Sequence, residues 1–313
     1  MGFRSLVSLG FVLIPVAVTI SVLLGLQAYR ESQGLNPNPF VSSSNKIRSK
    51  NYCQRAFGIT PFTNGQDYTL NPNQWALPED YDGPGGLCMN VTTYDNGTYP
   101  TKTTAAQWSI TWQYPRGPPT QPVHAFPNIK VDTDTFPVEI SKVTAINFET
   151  EWYYGVGDER PEIVDIAALT EVQLDANVAV DMFLDSDPDK AIDTTQAKYE
   201  VMIWLGQYGA STQQIGLEEG VVTTQIVNGT TFSLYTGVNG LNQNVLTWVA
   251  SDAATGHTNF FADLGPLLQG LTGIGGPTVN DYLGYIAFGS EAYDSGSNVT
   301  FYNKHLSLDL VTV

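Results

Sequence analysis

With 313 residues, 14% charged and 12% aromatic side chains, 29 Gly and 18 Pro, the chain is too poor in charge for a coiled coil. It is too rich in aromatics for a disordered protein. This length and composition suit one large strand-rich domain or two small ones, and a formal net charge of −17 excludes nucleic acid, whose phosphates need Lys and Arg opposite them.

After Arg4 an uncharged apolar stretch runs from Ser5 to Tyr29 and closes at Arg30 and Glu31. It is longer than the ~20 residues that cross a bilayer, and its best cleavage site, Leu26-Gln27-Ala28, carries a poor first residue. Residues 1–30 therefore read as a signal anchor in preference to a cleaved signal peptide. Residues 31–51 are polar and without a period, a linker or stalk, and residues 52–313 remain for the folded domain. A lumenal or extracellular fate agrees with four glycosylation triplets, at Asn90, Asn96, Asn228 and Asn298. Cys53 and Cys88, the only cysteines, then favour a disulfide, since two sulfurs without clustered histidines do not fill a zinc shell.

Short strand candidates recur between Gly, Pro, Asn and Asp: 107–113, 138–148, 177–183, 199–205, 223–226, 231–235, 245–250, 282–288 and 299–311. Many short strands with turn signals predict a β-sandwich or jelly roll. One segment departs from this, because Phe260/Phe261, Leu264, Leu267/Leu268 and Leu271 recur at helical spacing behind Thr258, a candidate N-cap, with Pro266 within it. Gly273-Ile274-Gly275-Gly276 follows that helix and is a loop, not a phosphate cradle.

In 199–205 alternation sends Tyr199, Val201, Ile203 and Leu205 to one face and Glu200, Met202 and Trp204 to the other. The second face sets a carboxylate beside an indole and a thioether. Such a surface suits a groove for a sugar ring, although an exposed Glu on a half-buried strand is the plainer reading of this segment alone. A second acid, Glu291, ends the strand before Ala292 and Tyr293, where Gly289 permits a close approach or bend. A third, Asp181, stands in an apolar strand, where a carboxylate needs a partner or a proton. The histidines His124, His257 and His305 have no triad or metal spacing. Asp185-Ser186-Asp187-Pro188-Asp189 lacks the Gly and terminal Glu of a calcium loop and reads as a solvated turn.

Taken together these motifs resemble glycoside hydrolase family 12, the endo-β-1,4-glucanases and xyloglucanases, over most of the chain from Tyr52. The resemblance implies an all-β jelly-roll sandwich of two antiparallel sheets with a concave groove and one short helix. It makes Glu200 the nucleophile and Glu291 the acid/base of a retaining pair, expected ~5–5.5 Å apart, with Asp181 hydrogen-bonded to Glu200. It puts Asn73, Trp75, Met202, Trp204 and Tyr293 along the glucan, and Cys53 and Cys88 where the family places its disulfide. The other tryptophans, Trp108, Trp112, Trp152 and Trp248, are assigned to the core. No cofactor or metal is implied, the partner is a β-glucan or xyloglucan, and a monomer is expected. Ala292 replaces the family's Pro, and Ala56 stands where relatives commonly carry Trp. A carbohydrate-binding module without turnover and a cell-surface interaction protein are the rival readings on the same fold.

Overall fold

The structure, a computed structural model, describes residues 18–29, 47–75, 85–94, 99–256 and 258–313. Two units emerge, Met1–Ile47 and Arg48–Val313. In the first, residues 18–29 form helix α1. Among the described residues no helix is long and apolar enough to cross a membrane; the rest of the 5–29 stretch, most of the linker, Asn96 and His257 lie outside them.

The second unit is built from short strands. In chain order these are β1 (Ile47–Tyr52), β2 (Asp67–Asn71), β3 (Gly86–Tyr94), β4 (Gln107–Gln113), β5 (Asn128–Asp132), β6 (Val138–Glu139), β7 (Val143–Val156) and β8 (Asp175–Asp185). There follow β9 (Tyr199–Tyr208), β10 (Thr223–Val227), β11 (Thr230–Val238), β12 (Asn244–Ala250), β13 (Asn259–Asp263), β14 (Tyr282–Gly289), β15 (Ala292–Asp294) and β16 (Val299–Thr312). One sheet has the order β1-β3-β4-β16-β7-β13. The other runs β10-β11-β12-β9-β8-β14-β5-β2, with β15 on β8 and β6 on β14. The jelly-roll sandwich expected from the sequence is thus formed, with one refinement. β9 and β12 pair in parallel, because the chain between them makes a β10–β11 excursion and re-enters from the same end.

An aromatic seam holds the sheets together. Phe288 of β14 meets Phe148 and Trp152 of β7 at 5.4 and 6.4 Å, and Tyr208 of β9 meets Tyr154 of β7 at 5.3 Å, each pair contributing about 0.5–1.5 kcal/mol beyond its burial. Trp108, Trp112, Trp152 and Trp248 are all in the core. Every residue of β8 is buried, since this strand is central in its sheet and is covered on both faces.

Five local expectations need correction. Phe260 and Phe261 belong to β13, where Phe260 turns inward against Phe232 and Phe148 and Phe261 turns out. An adjacent aromatic pair satisfies period 2 as well as a helical stripe, and the carbonyl of Thr258 accepts from Trp152 N instead of opening a helix. The helix is only α4 (Gly265–Gln269), started by Pro266 in its first turn, and it is not alone: α2 (Ile166–Glu171) and α3 (Pro188–Ala191) are also present. The single strand expected over 138–148 is β6 and β7 joined by a 3-10 turn at Ile140–Lys142, which carries the chain from one sheet to the other. Residues 47–51, read as linker, pair with β3 as part of β1. Their side chains are exposed, so backbone pairing and not burial places them, and no apolar alternation announces it. Asp185 is not solvated but buried, accepting from Asp187 N at 2.8 Å and Lys198 N at 2.9 Å, while Asp187 caps α3.

Cys53 and Cys88 form the disulfide, closing a span of 35 residues. Cys53→Ser is expected to lower the unfolding free energy by about 3–4 kcal/mol on loop-entropy grounds. Urea denaturation of the two proteins checks this, and equal midpoints would refute it.

Candidate active site

Glu200, Met202 and Trp204 share one face of β9, as alternation requires. Met202 and Trp204 pack on Ala179 of β8 and Val249 of β12, and Tyr199, Val201, Ile203 and Leu205 join the core on the other face. The register sets Asp181 of β8 between Met202 on β9 and Ala287 on β14. Ser290 and Glu291 are carried by the turn after β14. There a Cβ on Gly289 would lie 2.3 Å from the carbonyl oxygen of Pro127, so only glycine lets the chain pass.

The two glutamates are each held by an asparagine. Asn177, fully buried, accepts from Glu291 N at 2.9 Å through Oδ1 and donates from Nδ2 to Glu291 Oε2; its own N–H reaches Glu291 O at 3.3 Å. Tyr293 OH donates to the same Oε2 at 3.4 Å. Asn239 donates to Glu200 Oε2 at 2.8 Å. A tight turn fixes it, for Asn239 Oδ1 accepts from Leu241 N and Gln243 N, and Gln243 Nε2 is spent on the carbonyls of Thr194 and Ala197. Behind Glu291, Ser290 Oγ donates to Asn177 O at 2.6 Å and lies 3.0 Å from Tyr154 OH, which accepts from Trp112 Nε1 at 2.9 Å.

The electrostatics follow from three acids in little water. Burial, and next the charge of Glu200, push Glu291 up to about 7. Asp181 is raised well above the usual carboxylate range by burial, then by Glu200 and Glu291. Burial also raises Glu200, against the hydrogen bond from Asn239. The hydrogen bond expected between Asp181 and Glu200 is not formed: Asp181 Oδ1 is buried without a partner and Glu200 turns to Asn239. The two are linked through charge.

Glu200, Met202, Trp204, Glu291 and Tyr293 line one cavity of about 1010 Å³, which residues of 116–123 and Asp294 also border. His124 anchors the end of that loop, buried beneath it, stacked on Tyr114 at 4.9 Å and hydrogen-bonded through Nε2 to Pro115 O at 2.8 Å. Asn73 and Trp75 do not line the cavity. They follow β2, the far edge of the sheet, where Asn73 Nδ2 donates to Phe126 O at 3.2 Å and Trp75 N to His124 O. Sequence reasoning missed Asn177 and Asn239. The first was within reach, being four residues before Asp181 on the same strand face; the second sits in a turn with no period to betray it.

Residues 66–310 match the profile of Glycosyl hydrolase family 12. The chain belongs to that family. It is similar to a probable xyloglucan-specific endo-beta-1,4-glucanase A of Aspergillus flavus, with 27% identity over 79% of this chain and 87% of the relative. It is likewise similar to the xyloglucan-specific endo-beta-1,4-glucanase A of Aspergillus niger, 26% identical over 81% and 88%. Among solved structures, Trichoderma harzianum Endoglucanase 3 from family GH12 superimposes with a TM-score of 0.64 at 23% identity, covering 84% of this chain and 98% of that one. The catalytic domain of Humicola grisea Cel12A gives 0.63 at 24% identity, over 84% and 99%. These two show the fold. The family 12 chain is a glycoside hydrolase, and the cavity on its ten-stranded sheet is where its facing acids meet.

Proposed function

We propose that this protein cleaves internal β-1,4-glucosidic bonds of plant cell-wall glucans, xyloglucan or unbranched β-glucan, with retention of configuration. Glu200 is the nucleophile and Glu291 the acid/base. The observation that carries this reading is the pair of glutamates in one cavity, one pushed up to about 7 by burial and by its neighbour. Glu291, protonated under mildly acidic conditions, gives its proton to the leaving glycosidic oxygen while the Glu200 carboxylate attacks the anomeric carbon, and a glycosyl ester forms. Water then loses a proton to the ionised Glu291 and attacks the same carbon, which releases Glu200 and restores Glu291. Burial and the two neighbouring charges favour the protonated form of Asp181, and the hydrogen bond from Asn239 favours the ionised form of Glu200. Met202 and Trp204 supply the apolar floor for the sugar ring, with Tyr293 at its side. Asn73 and Trp75 extend the binding path toward the β2 edge.

The same reading sends the chain through the secretory pathway by its 5–29 stretch, as a monomer retained at the membrane or released outside. The Cys53–Cys88 disulfide supports it, since such bonds persist in oxidising compartments, and so do Asn228 and Asn298, both exposed. The decisive assay incubates the purified full chain with xyloglucan, mixed-linkage β-glucan and carboxymethyl-cellulose and counts new reducing ends over time. Rapid loss of viscosity with slower release of ends is expected on at least one polymer. No new ends on any of them would refute the proposal.

A further inference from the structure

β10 and β13 are edge strands of the two sheets. They come together at an apolar spot, with Ile226 on β10 exposed by 70% and Phe261 on β13 by 66%. Both line a cavity of about 660 Å³, shared with Asn228 and bordered by Asn147, Glu149 and Asp309. Exposed edges with large apolar side chains invite pairing with other chains and are normally covered. Asn228 and Gly229, at φ 47 and 83, form the two-residue turn between β10 and β11, and Asn228 Nδ2 donates to Phe261 O at 2.7 Å across the gap. Asn228 opens the triplet Asn228-Gly229-Thr230.

We infer that Asn228 carries an N-linked glycan whose first N-acetylglucosamine lies in this cavity and covers Ile226 and Phe261. The inference rests on the secretory reading above. Glycosylation replaces one of the two Nδ2 hydrogens and leaves the other for Phe261 O. The apolar face and acetyl methyl of the sugar meet Ile226 and Phe261, and its hydroxyls face Asn147, Glu149 and Asp309. Asn90 offers no such seat. It is half-buried in mid-strand, with Nδ2 donating to Asn51 Oδ1 at 2.6 Å and Oδ1 accepting from Arg160 Nη2 at 2.6 Å.

The full chain, secreted from a eukaryotic host, is digested and its glycopeptides and cysteine redox state are read by mass spectrometry. Thr230→Ala, which removes the acceptor triplet but keeps the Asn-Gly turn, and Thr230→Ser, which keeps both, are made alongside. Occupancy is expected at Asn228 and to exceed that at Asn90. Hydroxyl-radical labelling of Phe261 is expected to rise about twofold or more in Thr230→Ala and to stay low in Thr230→Ser, with polymer cleavage unchanged in both. A bare Asn228 on a chain whose Cys53 and Cys88 are oxidised and whose Asn298 is glycosylated overturns the inference and leaves the secretory route standing. Bare triplets throughout with free thiols overturn both. Equal labelling of Phe261 in glycosylated protein and Thr230→Ala overturns the covering role, as does burial of Phe261 against a second copy of the chain.

Discussion

Glu200→Ala, given an aryl β-cellobioside with a good leaving group, is expected to be inactive until azide is added and then to yield the α-glycosyl azide. Glu291→Ala under the same conditions is expected to yield the β-glycosyl azide. The difference lies in which bond azide makes. Without Glu200 it enters the vacated space and displaces the phenol directly, in one inversion. Without Glu291 the activated phenol still leaves to Glu200, and azide, which needs no base, opens the glycosyl ester in a second inversion. On natural polymers, where the leaving oxygen must be protonated, loss of Glu291 should lower kcat by roughly 10²–10⁴-fold, and loss of Glu200 by at least as much. The anomeric coupling in the proton NMR spectrum of the azide reads the outcome. A β-azide from Glu200→Ala, or the same anomer from both variants, would reverse or remove the assignment.

Glu291→Gln is expected to stabilise the protein at pH 8 while removing its activity. Burial and the charge of Glu200 raise Glu291 from 4.5 to about 7, so between those values the folded chain binds a proton that the unfolded chain has released. Stability then falls as pH rises through this window, the opposite of the usual carboxylate whose pKa is depressed by folding. Below about 4.5 both states are protonated and nothing is lost; above about 7 both are ionised and the full cost of about 3 kcal/mol stands. Asp181, raised in the same direction, adds to the slope. Glutamine in place of Glu291 removes the ionisation and keeps an oxygen for the Asn177 amide. Urea denaturation at pH 5, 6, 7 and 8 should show wild type weakening with pH and Glu291→Gln doing so less, with the gap widest at pH 8. Parallel curves for the two would defeat the prediction. With Glu291 as the proposed acid/base, the stability lost on its ionisation is the cost of a group kept ready to give a proton.

The strands were legible where one face is core and the other is groove. Around Glu200 the two-residue period separates Tyr199, Val201, Ile203 and Leu205 from Glu200, Met202 and Trp204, and the structure keeps that division. The period fails where backbone pairing alone fixes a segment, as in β1, whose residues bury almost nothing. It misleads where two aromatics are adjacent, as at Phe260 and Phe261. Parallel pairing of β9 with β12 depends on which end a long connection returns to, and side-chain pattern does not record that. The acids could be picked out because a carboxylate in an apolar strand is costly. Of the amides that hold them, Asn177 was readable only as a face-mate of Asp181 on its strand, and Asn239, in a turn without a period, was not; both gain meaning when the sheet sets them against Glu291 and Glu200.

The hydrogen-bonded line from Trp112 through Tyr154 and Ser290 to the backbone of Asn177 begins in one sheet and ends beside the acid in the other. Glu291 is therefore moored to the opposite layer of the sandwich. In the proposed mechanism any slide or altered splay of one sheet over the other would drag Glu291 off its line to the leaving oxygen, which gives natural variation little freedom to retune the sandwich itself. On that reading new substrates are accommodated at the rim, in the segments around 116–123 and 210–215 that border the cavity, while the two layers behave as a single fixed jig.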